Sequence, residues 1–252
     1  MGLFDTMSTA EDVKESGDSL GGGFEPVNSA IYDAVIKLAY ITFAPSEAMA
    51  LNLVCLLPNG KTVKQQLWIT SGKAKGKKNF YVGKDGDKQY LPGYNQANAL
   101  CLLTVGKPLA QLKETAKVIE LYDPKIKGMA PTKVDVLEDL TDQEIIIGIL
   151  KQITNVNVKD PVTQKYVPTA KTREENEIDK FFRKRDGLTV AEIKARKTEP
   201  GFQLQWAERW TDKIKDKTVE VKTNVQSGSP AAEKAADAAT TTAAQEGTNL
   251  FA

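Results

Sequence analysis

The sequence contains no histidine and only two cysteines. The missing imidazole excludes histidine-based general acid–base catalysis and the Ser-His and Cys-His nucleophile pairs. Cys55 and Cys101 each lie in an apolar run, which predicts two buried free thiols, with a disulfide as the less favoured alternative. No segment matches a zinc site, a phosphate-binding glycine loop or a nucleophile elbow. We expect a protein that is not an enzyme and needs no cofactor or metal; catalysis by carboxylates and a metal is the alternative left open.

Net charge and long apolar runs are also lacking. The chain has 34 Lys plus Arg and 33 Asp plus Glu, which leaves a net charge of +1 at pH 7. A nucleic-acid-binding domain usually has a pI above about 9, so any electrostatic site in this chain has to be local. No apolar run reaches the roughly 18 residues that span a bilayer, and the N-terminus lacks a basic region followed by an apolar core. We expect a soluble, cytoplasmic protein with no membrane partner.

The most informative stretch runs from residue 51 to residue 94. Two runs with alternating apolar residues, 51–57 and 63–69, flank Asn59-Gly60, and an Asn-Gly pair in that position is the strongest short-range signal for a β-hairpin. A lysine-rich run follows the second strand and has aromatic residues on both sides. Ammonium groups suit phosphates and rings suit stacked bases, so the pattern predicts a site for a nucleic-acid strand. The candidate contacts are Lys61, Lys64, Trp68, Lys73, Lys75, Lys77, Lys78, Phe80, Tyr81, Tyr90 and Tyr94.

A solvated hairpin loop is the alternative interpretation of the lysine-rich run. Lysine is common at such tips, where it also protects exposed strand edges from pairing. The functional interpretation is favoured because much of the chain's aromatic content falls within the same short window.

Short apolar runs bounded by turn residues predict a mainly β fold, an OB-like β-barrel with a few short helices. Strands are predicted at 34–44, 51–57, 63–69, 117–122, 133–137 and 144–157, with one more short strand at 166–168. The strands at 133–137 and 144–157 are expected to pair with each other, and Gly148 is expected to mark a bulge or bend. The predicted core residues of this pair are Val134, Val136, Ile145, Ile147 and Ile149.

Helices are predicted at 95–105 and in the C-terminal third of the chain. Thr172 with Glu175, and Thr189 with Glu192, match the capping box and predict helices at 173–185 and 190–197. Helical spacing of Phe202, Trp206 and Trp210 predicts a third helix at 203–214. These three rings are expected to face the core, with base stacking as the alternative.

The two ends differ in composition from the middle of the chain. Residues 1–28 are mostly polar with a Gly-Gly-Gly run and are predicted to form a flexible arm, and residues 223–252 form a low-complexity tail that we expect to be disordered. Residues 29–222 are the predicted OB-like nucleic-acid-binding domain. The tail ends on the apolar pair Leu250-Phe251, which we predict to bind a partner; an inert end is the alternative.

This layout resembles the single-stranded DNA-binding proteins of tailed bacteriophages. The resemblance covers residues 34–221 and the tip of the tail, and it is carried by LNLVCLLPNGKTVKQQLWIT, GKAKGKKNFYVGKDGDKQYLPGY and the ending NLFA. It implies an OB core that coats and protects single strands in replication, recombination or repair, without catalysis, in the host cytoplasm. It also implies replication proteins as partners of the tail and leaves a homo-oligomer open. DNA contacts would fall on Lys73, Lys75, Lys77, Lys78, Trp68, Phe80 and Tyr81.

A second class of function fits the same sequence. A structural or assembly protein of a phage particle could use a small barrel to dock other proteins, with no nucleic-acid contact. Substituting the four lysines from Lys73 to Lys78 separates the two hypotheses, because only the first depends on those charges.

Overall fold

The computed structural model describes residues 25–221 apart from residues 124 and 162. The described part is mainly β, as predicted, and the residues up to Val219 belong to one compact unit. Most of the predicted arm and the whole of the predicted tail, with its Leu250-Phe251 pair, lie outside the described residues. The division into arm, domain and tail therefore stays a prediction. None of the described helices is long and apolar enough to cross a membrane.

Three antiparallel strands open the described chain: β1 (Ala30–Phe43), β2 (Met49–Leu56) and β3 (Thr62–Trp68). The predicted hairpin between β2 and β3 is confirmed. Gly60 has a φ of 79° and its amide donates to the carbonyl of Leu57 at 3.0 Å. Leu51, Leu53 and Cys55 alternate with half-buried residues, so one face of β2 lies in the core.

The middle of the chain forms a small hairpin, one helix and a longer hairpin. β4 (Phe80–Val82) and β5 (Lys88–Tyr90) pair around a turn at Asp85-Gly86, and α1 (Pro92–Thr104) follows. β6 (Thr115–Asp123) and β7 (Gly128–Val136) form the longer hairpin. The helix predicted at 95–105 is thus confirmed, beginning three residues earlier than expected.

The predicted pairing of 133–137 with 144–157 is wrong. β7 pairs with β6 and with Tyr40 and Ile41 of β1, whereas β8 (Glu144–Lys159) pairs with Ala30–Val35 of β1 and with β9 (Tyr166–Phe182). The reason is the length of β1: its 14 residues offer one edge that β8 and β7 occupy in succession. The five predicted core residues of these two strands are nevertheless buried, and the register shifts at Gly148 as expected.

The helix predicted at 173–185 is also wrong, because these residues belong largely to the 17-residue strand β9. Tertiary pairing with β8 overrides the local capping signal. The glutamates that suggested a helix make cross-strand contacts instead: Lys151 Nζ lies 2.8 Å from Glu174, and Gln152 Nε2 donates to Glu175 at 3.1 Å. The short strand predicted at 166–168 is the beginning of β9, which continues to Phe182.

The second capping box is confirmed. Thr189 Oγ1 accepts from the amide of Glu192, and the Glu192 carboxylate accepts from the amide of Thr189 at the start of α2 (Val190–Lys194). The third predicted helix is α3 (Gly201–Trp210). Trp206 is buried against Leu150 and Phe182, and its Nε1 donates to Asp179 Oδ2 at 2.8 Å.

A final short strand, β10 (Ile214–Asp216), runs parallel to β8. The main path through the sheet is then β3-β2-β1-β8-β9, with β10 beside β8 and the β6–β7 hairpin attached to β1. Within the described ranges no ladder joins β3 to β9, so the hydrogen bonding does not close into a barrel.

The two strands at the ends of this path are bridged by side chains and by α1. The amide of Ile178 in β9 donates to Gln65 Oε1 of β3 at 2.9 Å, and Gln96 Nε2 of α1 donates to the carbonyl of Asp179 at 3.3 Å. α1 packs against both strands and buries Leu100 and Cys101 in the main core. Both cysteines are free and buried, as predicted, and burial raises the pKa of each thiol to about 12.

Candidate nucleic-acid interface

The lysine-rich run forms a connection between β3 and β4 that we call the lysine strap, residues 71–79. A 3₁₀ turn at Lys73–Lys75 lies in it, and its ends are held together by the Ser71 amide, which donates to the Lys78 carbonyl at 2.7 Å. The Lys73 amide donates to the carbonyl of Ser46 in the β1–β2 turn at 2.8 Å. The backbone of the strap is therefore fixed at both of these points, while its four lysine side chains stay exposed.

A cavity of about 940 Å³, the first cavity, opens between the lysine strap, β3, β4 and the start of α1. Trp68, Phe80 and Tyr81 contribute aromatic rings to its lining, and Lys75 and Lys78 contribute ammonium groups. Trp68 is 44% exposed and Tyr81 is 46% exposed. Exposed aromatic rings beside unpaired ammonium groups can bind a ligand that combines a flat ring with a negatively charged group.

Close backbone packing fixes the position of Trp68. A Cβ atom on Gly93, in the first turn of α1, would stand 2.8 Å from the Trp68 amide nitrogen and closer still to its carbonyl oxygen. The Leu91 amide just before α1 donates to the carbonyl of Asn79 at 2.9 Å. The start of α1 thus holds the end of β3 and the end of the strap at once, which sets the width of the cavity.

The rings of the small β4–β5 hairpin are surrounded by cations and amides. Lys78 Nζ lies 5.6 Å from the centre of the Phe80 ring, and Lys88 Nζ lies 5.3 Å from it. The Tyr81 hydroxyl donates to Gln89 Oε1 at 2.7 Å, which fixes the direction of that side chain. A phosphate group near Phe80 would find two ammonium groups within reach.

Glu47, which the sequence did not mark as a site residue, neutralises part of the positive charge of the lysine strap. Its carboxylate lies 3.4 Å from Lys73 Nζ and forms a second, closer ion pair with Lys77. The hydrogen bond from Lys77, with that from Lys73, lowers the pKa of Glu47 below its usual value. Two of the four strap lysines are thus paired within the protein, whereas Lys75 and Lys78 form no ion pair with any described residue.

The predicted contact residues do not form one continuous group. Trp68, Lys75, Lys78, Phe80 and Tyr81 meet at the first cavity. Tyr90 and Tyr94 do not line it and form a tilted ring pair with centroids 4.9 Å apart. Lys64 lies in β3 on the same outward face as Trp68. Lys61 lies at the far hairpin turn, where its Nζ is 3.6 Å from the Glu25 carboxylate, and it does not line the first cavity.

The lining of the first cavity also contains amide side chains that the sequence did not identify as site residues. Gln65, Gln66 and Gln96 lie in its lining, and Gln65 already accepts from the backbone of β9. Glu177 also reaches the lining, where Lys217 Nζ lies 2.8 Å from its carboxylate. These residues come from three separate elements, so no local pattern in the sequence could have grouped them.

The function of this site has to be inferred from its geometry. No protein-family model matches the chain, and a search of curated proteins gave no significant match.

Proposed function

We propose that the protein binds single-stranded DNA at the first cavity, largely independently of sequence and without catalysis. The observation that carries the proposal is the meeting of Lys75 and Lys78 with the exposed rings of Trp68 and Tyr81 around one open cavity. Phosphates would contact the ammonium groups while bases stack on the rings. Stacking contributes on the order of 1–3 kcal/mol per base, so two rings and a few phosphate contacts give useful affinity.

The order of the main strands supports an OB-like barrel as the finer description of the fold. The path β3-β2-β1-β8-β9 has five main strands, α1 comes between the third and fourth of them in sequence, and side chains bridge β3 to β9. An OB-fold is a partly open five-stranded barrel that binds oligonucleotides on one face. The first cavity lies along β3, one of the two strands at the opening of this barrel.

A single strand suits this site better than a duplex. The rings of Trp68 and Tyr81 can stack only on bases whose faces are free, and the bases of a duplex are already stacked on each other. In a cell the protein would coat and protect single strands during phage DNA replication, recombination or repair. Recruitment of replication proteins through Leu250 and Phe251, which lie outside the described residues, belongs to the same proposal.

A pair of lysine substitutions tests the site. We expect Lys75→Gln combined with Lys78→Gln to weaken binding of a labelled oligo-dT, and to make the negative slope of log affinity against log salt shallower by about 1.4. That figure follows because each lost phosphate contact on a single strand changes the slope by roughly 0.7. Fluorescence anisotropy across a salt series measures both effects.

The matched control removes two other exposed lysines, Lys107→Gln with Lys133→Gln, which do not line the first cavity. It has the same change in net charge and should keep the wild-type slope. Equal losses in the two double variants would show that overall charge, and not the first cavity, determines binding.

One observation favours the alternative, a structural or assembly protein of a phage particle that does not contact nucleic acid. The β6–β7 hairpin exposes Val118 by 67%, Tyr122 by 62% and Met129 by 59%. Exposed apolar side chains on neighbouring strands are typical of a protein-docking surface. Under this alternative the lysine double variant would assemble normally and the wild-type protein would not bind oligo-dT.

A further inference from the structure

A second cavity, of about 520 Å³, lies on the other side of the lysine strap. Half-buried apolar side chains from β1, β2, α1 and the segment before β6 line it, among them Ile41, Met49, Tyr94 and Leu109. The lining residues Thr70 and Lys78 are shared with the first cavity. The two cavities are therefore adjacent, and a strand that contacts Lys78 can reach both.

Charged groups of both signs line this second cavity. Lys77 and Lys78 approach it from the strap, while Asp135 of β7 and Glu114 approach it from the segment around β6 and β7. Lys77 is paired with Glu47. Neither Asp135 nor Glu114 forms a hydrogen bond or ion pair through its carboxylate with another residue of the described chain, and Asp135 is half-buried. A half-buried carboxylate without a partner leaves strong acceptor capacity available to a ligand.

We propose that the second cavity binds one base of the single strand and prefers a base with an exocyclic amino group, of which cytosine is the simplest. The inference rests on the proposed function and adds a base preference to it. Asp and Glu side chains accept hydrogen bonds from the amino group of cytosine. The apolar lining covers the ring, and Lys78 holds the neighbouring phosphate between the two cavities.

The size and the rings of the cavity agree with this ligand. Small-molecule sites are usually about 300–1,000 Å³ with an apolar lining and a few convergent polar groups. Phe43 is 59% exposed at this cavity and Tyr94 is half-buried in it, so aromatic faces are present beside the carboxylates. Repulsion between the carboxylates and the phosphates is offset by the nearby ammonium groups.

The hydrogen-bonding edge of the base determines the expected preference for cytosine over uracil. Cytosine presents an amino group at position 4, which can donate to a carboxylate. Uracil has a carbonyl oxygen there, and its one donor stands between two carbonyl oxygens that repel a carboxylate. The two bases have the same ring size and neither carries a methyl group, so a comparison of them isolates the hydrogen-bonding edge.

The test compares oligo-dC with oligo-dU of equal length by competition against a labelled oligo-dT near neutral pH. We expect the wild-type protein to bind oligo-dC roughly three- to tenfold more tightly, the range for one or two added hydrogen bonds. Asp135→Asn should remove most of this ratio, since an amide offers a donor as well as an acceptor and can pair with either base. The control Glu208→Gln, an exposed acid on α3, should keep the ratio.

The outcomes separate the two proposals. Equal affinity for oligo-dC and oligo-dU, with tight binding of both, would overturn the base preference and leave single-strand binding intact. A preference that survives in Asp135→Asn and in Asp135→Asn with Glu114→Gln would place its origin elsewhere and also overturn the inference. Failure to bind any of these oligonucleotides would contradict the proposed function itself, and with it the base site.

Discussion

Under the proposed function, Glu47 is the described residue that most directly opposes phosphate binding at the strap. Its carboxylate accepts from both Lys73 and Lys77, so a DNA phosphate has to compete with it for those two ammonium groups. The lysines lower the pKa of Glu47, so the competing group stays ionised at neutral pH. Because the folded-state pKa is depressed, these contacts are complete above the usual pKa of glutamate and are lost only as the pH falls through the lowered value.

Replacing this carboxylate by an amide should strengthen DNA binding. We expect Glu47→Gln to raise the affinity for oligo-dT by roughly two- to fivefold at low salt, because exposed ion pairs are individually weak but two are released here. Asp142→Asn is the matched control, since Asp142 also pairs with a lysine, Lys37, at 2.8 Å but lines neither cavity. An unchanged affinity in Glu47→Gln, measured by anisotropy, would show that Lys73 and Lys77 do not contact the strand.

At the scale of residues, the sequence predicted the lysines and aromatic rings of the site but not the carboxylates that lie beside them. Trp68, Lys75, Lys78, Phe80 and Tyr81 lie close together in the chain, so composition alone could suggest that they meet. The partner of Lys77 lies thirty positions earlier, and Asp135 comes from a different hairpin. Contacts between distant segments depend on the strand order, which no local pattern determines.

At the scale of elements, the first turn of α1 is the part of the scaffold that shapes the site. Gly93 approaches the backbone of Trp68 so closely that a side chain cannot be placed there without moving one of the two elements. We expect Gly93→Ala to lower the free energy of unfolding by about 1–3 kcal/mol, the usual cost of overpacking. Urea denaturation measures the change.

A second alanine substitution serves as the control for this prediction. Gly128 begins β7, and the nearest atom to a Cβ placed there is 3.8 Å away, which is ordinary contact. Gly128→Ala should therefore leave the unfolding free energy within about 0.5 kcal/mol of wild type. If Gly93→Ala were equally harmless, the start of α1 would not be packed against Trp68 as described.

The elements that sequence reasoning placed correctly are those with strong local signals. Asn59-Gly60 gave the hairpin, the capping box at Thr189 gave α2, and the spacing of the tryptophans gave α3. The same logic failed at Thr172 and Glu175, where an identical capping pattern lies inside β9. There the long edge of β8 supplies backbone hydrogen bonds along the whole segment, and this tertiary pairing is stronger than the local preference.

At the scale of the whole molecule, the charge distribution limits how the proposed DNA binding can work. A net charge of +1 gives no long-range attraction, so the proposal depends on the few ammonium groups that the fold leaves unpaired at the two cavities. The mainly β character was predictable from the alternating apolar runs. The division of one edge of β1 between β8 and β7 was not predictable, because it depends on pairing between segments that are far apart in the sequence.

The most direct test of the account is the anisotropy of a labelled oligo-dT with the wild-type protein at low and moderate salt, beside a duplex of equal length. The account predicts tight binding of the single strand that weakens as salt rises, and much weaker binding of the duplex. No binding of the single strand at low salt, or equal binding of both, would contradict it.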